Sequence, residues 1–128
     1  MVKHITIKGF TLTELMVAVV IVGVMSSLAI PRLTGSIEKT RAAEAVQNLE
    51  AVYRAQQAYN QENQTYSAVL TQLDITISPS AYFNAPAVNT ADPIVSIARN
   101  DGSYTLRMSS TGIISCIPAG PTCGTLGF

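Results

Sequence analysis

Gly9-Phe10-Thr11-Leu12-Thr13-Glu14-Leu15-Met16-Val17-Ala18-Val19-Val20-Ile21-Val22-Gly23-Val24-Met25-Ser26-Ser27-Leu28-Ala29-Ile30 is the stretch on which the reading of this chain turns. From Phe10 to Ile30 it holds 21 residues, and Glu14 is their only charge. As a helix it would be roughly 31 Å long, enough to cross the hydrocarbon core of a bilayer. Lys3 and Lys8 precede it, so the N-terminus is expected to stay cytoplasmic and the rest to cross outward. Glu14 is the anomaly. An acid at the centre of a membrane helix costs about 2.5–3.5 kcal/mol, and less near an end. The carboxylate must snorkel to the headgroups or find a partner.

Two ordinary readings of the stretch compete. One is a secretory signal peptide with Ser27-x-Ala29 as its small-residue cleavage site, which would release a soluble binding domain. The other is a plain membrane anchor. Neither gains anything from an acid at position 14.

Composition narrows the classes. The 128 residues suit one domain plus a membrane-length helix. Formal net charge is zero, and charged residues make up 12%, about half the globular average. No basic excess marks a nucleic-acid site, and no acidic excess marks a metal store. The mean hydropathy of +0.30 comes largely from the first thirty residues. Two cysteines, Cys116 and Cys123, lie near the end of the sequence. A membrane-directing N-terminus points to an oxidising destination, where the pair would form a structural disulfide. With the only histidine at His4, the pair lacks the ligands for a zinc site, and its spacing is not that of a Cys-x-x-Cys redox motif.

Lys8-Gly9-Phe10-Thr11-Leu12-Thr13-Glu14-Leu15-Met16-Val17 resembles the processing motif of type IV prepilins and related pseudopilins. The resemblance is specific over residues 8–31, weaker over the helix beyond, and architectural over the rest. It implies an α+β pilin fold, a long N-terminal helix packed on a small antiparallel sheet. It also implies a leader over residues 1–9, a transmembrane and filament-core helix over 10–30, and an outward-facing head over 31–128. Cleavage after Gly9 by a membrane prepilin peptidase and N-methylation of Phe10 follow from the motif. Removal of Lys3 and Lys8 would leave 6 basic and 8 acidic residues. The family pattern pairs Glu14 of one subunit with the new Phe10 amine of a neighbour, which sets axial register. An unpaired charge in low dielectric is costly, and a pair is much less so.

Further partners implied are other copies of the chain and minor pilins in a helical filament, an assembly platform protein and an ATPase. The subunit would sit in the cytoplasmic membrane before assembly and in an extracellular pilus after it. Adhesion, twitching motility and DNA uptake are the usual outputs. A type II secretion pseudopilin is the rival within the family. Major pseudopilins share an acidic, calcium-binding C-terminal loop, whereas residues 99–128 here hold one acid, Asp101, and the cysteine pair.

Downstream, Gly23 and Pro31 bracket the place where a helix is expected to kink or loosen. Residues 32–60 read as an amphipathic helix through Leu33, Ile37, Val46, Leu49, Val52, Tyr53 and Tyr59, with Arg41/Glu44 and Glu50/Arg54 spaced to pair on its wet side. A short helix is expected over Ser67–Leu73, then a long connection over 74–93 with Pro79, Pro86 and Pro93. In that connection Tyr82 and Phe83 are either interface or core residues. Ile94–Arg99, Tyr104–Ser109 and Gly112–Ile117 read as three strands of a meander, turned at Asn100-Asp101-Gly102. Tyr104, Leu106 and Met108 should face inward.

Chemistry is sparse. No histidine follows the leader, no phosphate-binding glycine loop occurs, and Gly120-Pro121-Thr122-Cys123-Gly124 reads as an ordinary loop. Glu38, Glu44 and Glu50 read as solvated helix residues. No catalytic set, metal site or cofactor is expected, and enzyme function is not.

Overall fold

The computed structural model describes residues 9–128. The leader, apart from Gly9, lies outside the described residues, as do the side chains of Ala29, Pro31 and Arg32. Two units are distinguished, one up to Thr34 and one over Gly35–Phe128. Helix α1, Leu12–Asn63, contributes to both.

The first unit is helical from Leu12 onward, through Gly23 and Pro31. Its large apolar side chains all lie open, from Leu12 at 76% and Val19 at 70% to Leu28 at 70% exposed. No single helix among the described residues is long and apolar enough to cross a membrane alone. Leu12–Leu28 and Leu33–Asn63 taken together have the length and composition to do so.

In the second unit, α1 presents Ala42, Ala45, Leu49, Val52 and Gln56 as a buried stripe with helical spacing. Opposite it lies a four-stranded antiparallel sheet in the order β1-β2-β3-β4: Ala87–Val88, Val95–Ala98, Thr105–Met108 and Ile114–Ile117. The alternation in β3 is as expected, with Leu106 and Met108 buried and Arg107 on the other face. Val95, Ile97, Leu106, Met108 and Phe83 complete the core against α1. Each large apolar side chain buried here stabilises by about 1.5–3 kcal/mol relative to its exposed state.

Several expectations are corrected. The strands are shorter at their ends, and Arg99 makes an isolated bridge to Phe83 instead of extending β2. Strand β1 arises inside the proline-rich connection, where an edge of two residues tolerates the neighbouring Pro86. Instead of a helix over Ser67–Leu73 there is one 3-10 turn, Leu70–Gln72. Ser67 Oγ accepts from the Val69 N–H and bonds the Gln72 side chain, which satisfies this backbone without a helix. The supposed loop around Cys123 is a short helix, α2, Pro121–Leu126. Pro121 starts it, where a missing N–H costs nothing.

Glycine is required at one turn in particular. Gly112 has φ +81°, its N–H bonds Ser109 O at 2.9 Å, and an added Cβ would meet the Tyr53 hydroxyl at 3.4 Å.

Candidate functional site

The start of α1 is built by two residues. The Glu14 carboxylate accepts hydrogen bonds from the Thr11 N–H and from the Thr11 hydroxyl, both at 2.9 Å. In return the Glu14 N–H approaches Thr11 Oγ1 at 3.3 Å. This is a capping box: the Thr11 side chain satisfies an orphan N–H of the first turn, and Glu14 reaches back to the cap. An acid in the first turn also favours the helix macrodipole. Glu14 therefore has donors within its own chain. The signal was legible as Thr11-x-x-Glu14. Phe10 is 82% exposed just before this box, and Gly9 is open around its Cα. A shallow groove lined by Thr11, Thr13, Glu14, Val17, Ala18 and Ile21 runs along the same helix face.

The head holds a second polar cluster. Arg99 Nη1 lies 2.7 Å from Glu38 Oε1, with side chains only 12% and 18% exposed. The approach is an ion pair without hydrogen-bond geometry at Nη1. The Tyr104 hydroxyl donates to the same Glu38 oxygen at 2.8 Å. Arg99 Nε donates to Asp101 at 3.1 Å. Arg41 pairs with Glu38 at 3.4 Å and lies over the Tyr82 ring at 4.3 Å. Glu38 is thus a half-buried hub and not a solvated residue, and Arg41 pairs with it and not with Glu44. Glu50 and Arg54 stand 4.0 Å apart as the spacing implied, at an exposed site.

The electrostatics follow from these contacts. Burial pushes the Tyr104 hydroxyl well above its usual range, and the Glu38 hydrogen bond adds to the rise. Ser103, by side-chain and backbone hydrogen bonds, holds Asp101 down at about 2, with Arg99 helping. Burial lowers Arg99, but Asp101 and Glu38 outweigh it, so the net direction is upward.

Of Tyr82 and Phe83, Phe83 is the core residue. Phe83 is buried with its ring edge-on to Tyr104, and Tyr82 stays 40% exposed under Arg41. Gln56 is the polar residue most deeply embedded. Its amide bonds Ser67 N–H at 2.9 Å and Ser67 C=O at 2.8 Å, which anchors the segment after α1. Cys116 and Cys123 form a disulfide, which ties α2 to β4. Gly23 and Pro31 lie within α1. Among the described residues no three His, Cys, Asp or Glu side chains are grouped to hold a metal ion.

Residues 6–30 match the prokaryotic N-terminal methylation motif, and residues 42–112 match the model of type IV pilin-like G and H proteins. The chain belongs to the type IV pilin-like family. Among relatives, it is 37% identical over 101 residues to type II secretion system core protein G of Aeromonas hydrophila, across 79% of this chain and 64% of that protein. It is 40% identical over 60 residues to type IV major pilin protein PilA of Myxococcus xanthus, across 47% of this chain and 27% of that protein. Core protein G of Klebsiella pneumoniae is 40% identical over 75 residues, 58% of this chain and 54% of its own length. The matched region spans less than two thirds of each of these relatives. No solved structure matches the chain. The α+β fold, the long helix on a small antiparallel sheet, is that of the family.

Proposed function

We propose that the chain is a structural, non-catalytic subunit of a type IV pilus filament. It is made as a prepilin and cut after Gly9 by prepilin peptidase, which then methylates Phe10. It is held in the cytoplasmic membrane as a single-pass protein and polymerised through the first half of α1. The observation that carries this reading is the uncovered apolar surface of Leu12–Leu28 with a single acid at its start. Bilayer and a bundle of identical helices are the two settings that satisfy such a surface. In the bundle, Glu14 faces the Phe10 amine of a neighbour and fixes its register. Pro31, which lacks the N–H that helix interiors use, is the point where α1 loosens in the filament. The methylation-motif match supports cleavage at Gly9 over release after Ala29. An ATPase and a platform protein drive assembly, minor pilins join it, and the product is extracellular. Adhesion, motility or DNA uptake then depends on the exposed head.

A pseudopilin of a type II secretion system is the second reading. The likeness to core protein G, which extends over 79% of the chain, favours it. The pilus reading is preferred because the segment after residue 98 carries one acid, Asp101, and a disulfide-tied helix in place of an acidic loop. A deletion strain separates them. Loss of surface filaments with normal protein secretion is the expected result, and retained pili with lost secretion would select the pseudopilin.

A further inference from the structure

Arg107 and Glu62 are two of the head charges without an ion pair among the described residues, and each sits where its charge is disfavoured. Arg107 sits at the middle of β3, on the sheet face turned from the core, in register with Ser96 of β2 and Ser115 of β4. The other strand residues on this face, which include Ala98, Thr105 and Ile117, carry no charge. Arg107 is half-buried there, and its Nε is buried without a hydrogen-bond partner. Arg41, Arg54 and Arg99 all have ion pairs, but Arg107 has none among the described residues. A guanidinium partly withdrawn from water with no acceptor raises the energy of the isolated subunit.

Glu62 is the complementary case. It is exposed in the last turn of α1, a turn that holds no basic residue. There the carboxylate meets the negative end of the helix macrodipole, the end at which a cation is favoured. No ion pair or hydrogen bond involves its side chain among the described residues.

Resting on the reading of this chain as a filament subunit, we infer that the outer sheet face docks a second copy, Arg107 of one subunit pairing with Glu62 of its neighbour. The sign is complementary, and both charges gain from the exchange. Polymerisation through α1 holds the copies together, so even a modest pair of this kind contributes to register.

The test uses the full-length chain in its own assembly host, with Arg107→Gln, Glu62→Gln, Arg107→Glu, Glu62→Arg and the combined charge swap. Sheared filament yield is read beside the melting temperature of the detergent-extracted subunit. Each single variant should lower filament yield about threefold, the scale of a partly exposed ion pair. The swap should recover most of the loss. Glu62→Gln should raise subunit melting slightly while lowering filament yield, a split that a purely structural role would not give. A swap no better than the worse reversal, or Gln variants that assemble like the wild type, would overturn the pairing. If a reversal fails to fold, the two Gln variants decide alone. Absence of polymer from the wild type in the same assay would instead overturn the proposed function.

Discussion

Thr11 and Glu14 close on each other across the first turn of α1, with two hydrogen bonds of 2.9 Å reaching one carboxylate oxygen. The acid that stands out in the apolar stretch is therefore already engaged before any neighbour arrives. Under the proposed assembly, a Phe10 amine from another copy would compete with Thr11 or share the carboxylate with it. The same residue serves as helix cap and as proposed register charge, and substitution can separate these roles.

Thr11→Val removes the hydroxyl but keeps the carboxylate. It should cost about 1 kcal/mol at the helix start, the usual worth of an N-cap, and leave filament yield near normal. Glu14→Ala should permit cleavage and strongly reduce polymer. Immunoblots for processing and sheared-filament yield check both. Equal loss of polymer from the two variants would assign the effect to the cap and not to pairing between subunits.

Glu38→Ala should be the most destabilising charge change in the head. It leaves Arg99, 12% exposed, without the partner at 2.7 Å and the Tyr104 hydroxyl without its acceptor. The expected cost is about 3 kcal/mol, the scale of breaking a mostly buried pair, read from urea unfolding of the full chain in detergent. Glu44→Ala, on the same helix with no ion pair among the described residues, should change stability by about 0.5 kcal/mol or less.

Asp101 supplies a pH dependence. Its pKa falls from 3.8 to about 2 in the folded head, through Ser103 first and Arg99 after. A depressed carboxylate stabilises the fold above the unfolded value and loses that contribution as pH falls through the folded one. The melting-temperature gap between the wild type and Asp101→Asn should be full above pH 3.8 and close on the way to about 2. A gap that widens on acidification would contradict this assignment.

Much of this is legible in the sequence. The apolar stretch, the amphipathic continuation and the turn at Asn100-Asp101-Gly102 each follow from local pattern, and the structure places α1 and β2–β4 accordingly, except that Leu33 and Ile37 of the expected apolar stripe stay exposed. The stripe at 42, 45, 49, 52 and 56 has helical spacing, yet the polarity of Gln56 hides its place in it. Strand β1 and helix α2 are not legible because two residues beside Pro86, and six residues containing Gly124, have weak local preference. Tertiary contact and the disulfide hold them instead. The Glu38–Arg99 pair was not legible. It joins residues 61 positions apart, and only the docking of α1 on the sheet brings them together.

The most direct test of the filament reading is mass spectrometry of the chain recovered from sheared surface filaments. The expected species begins at N-methyl-Phe10 and runs through the disulfide. A chain that begins at Ile30, found free in the medium and absent from any polymer, would contradict it.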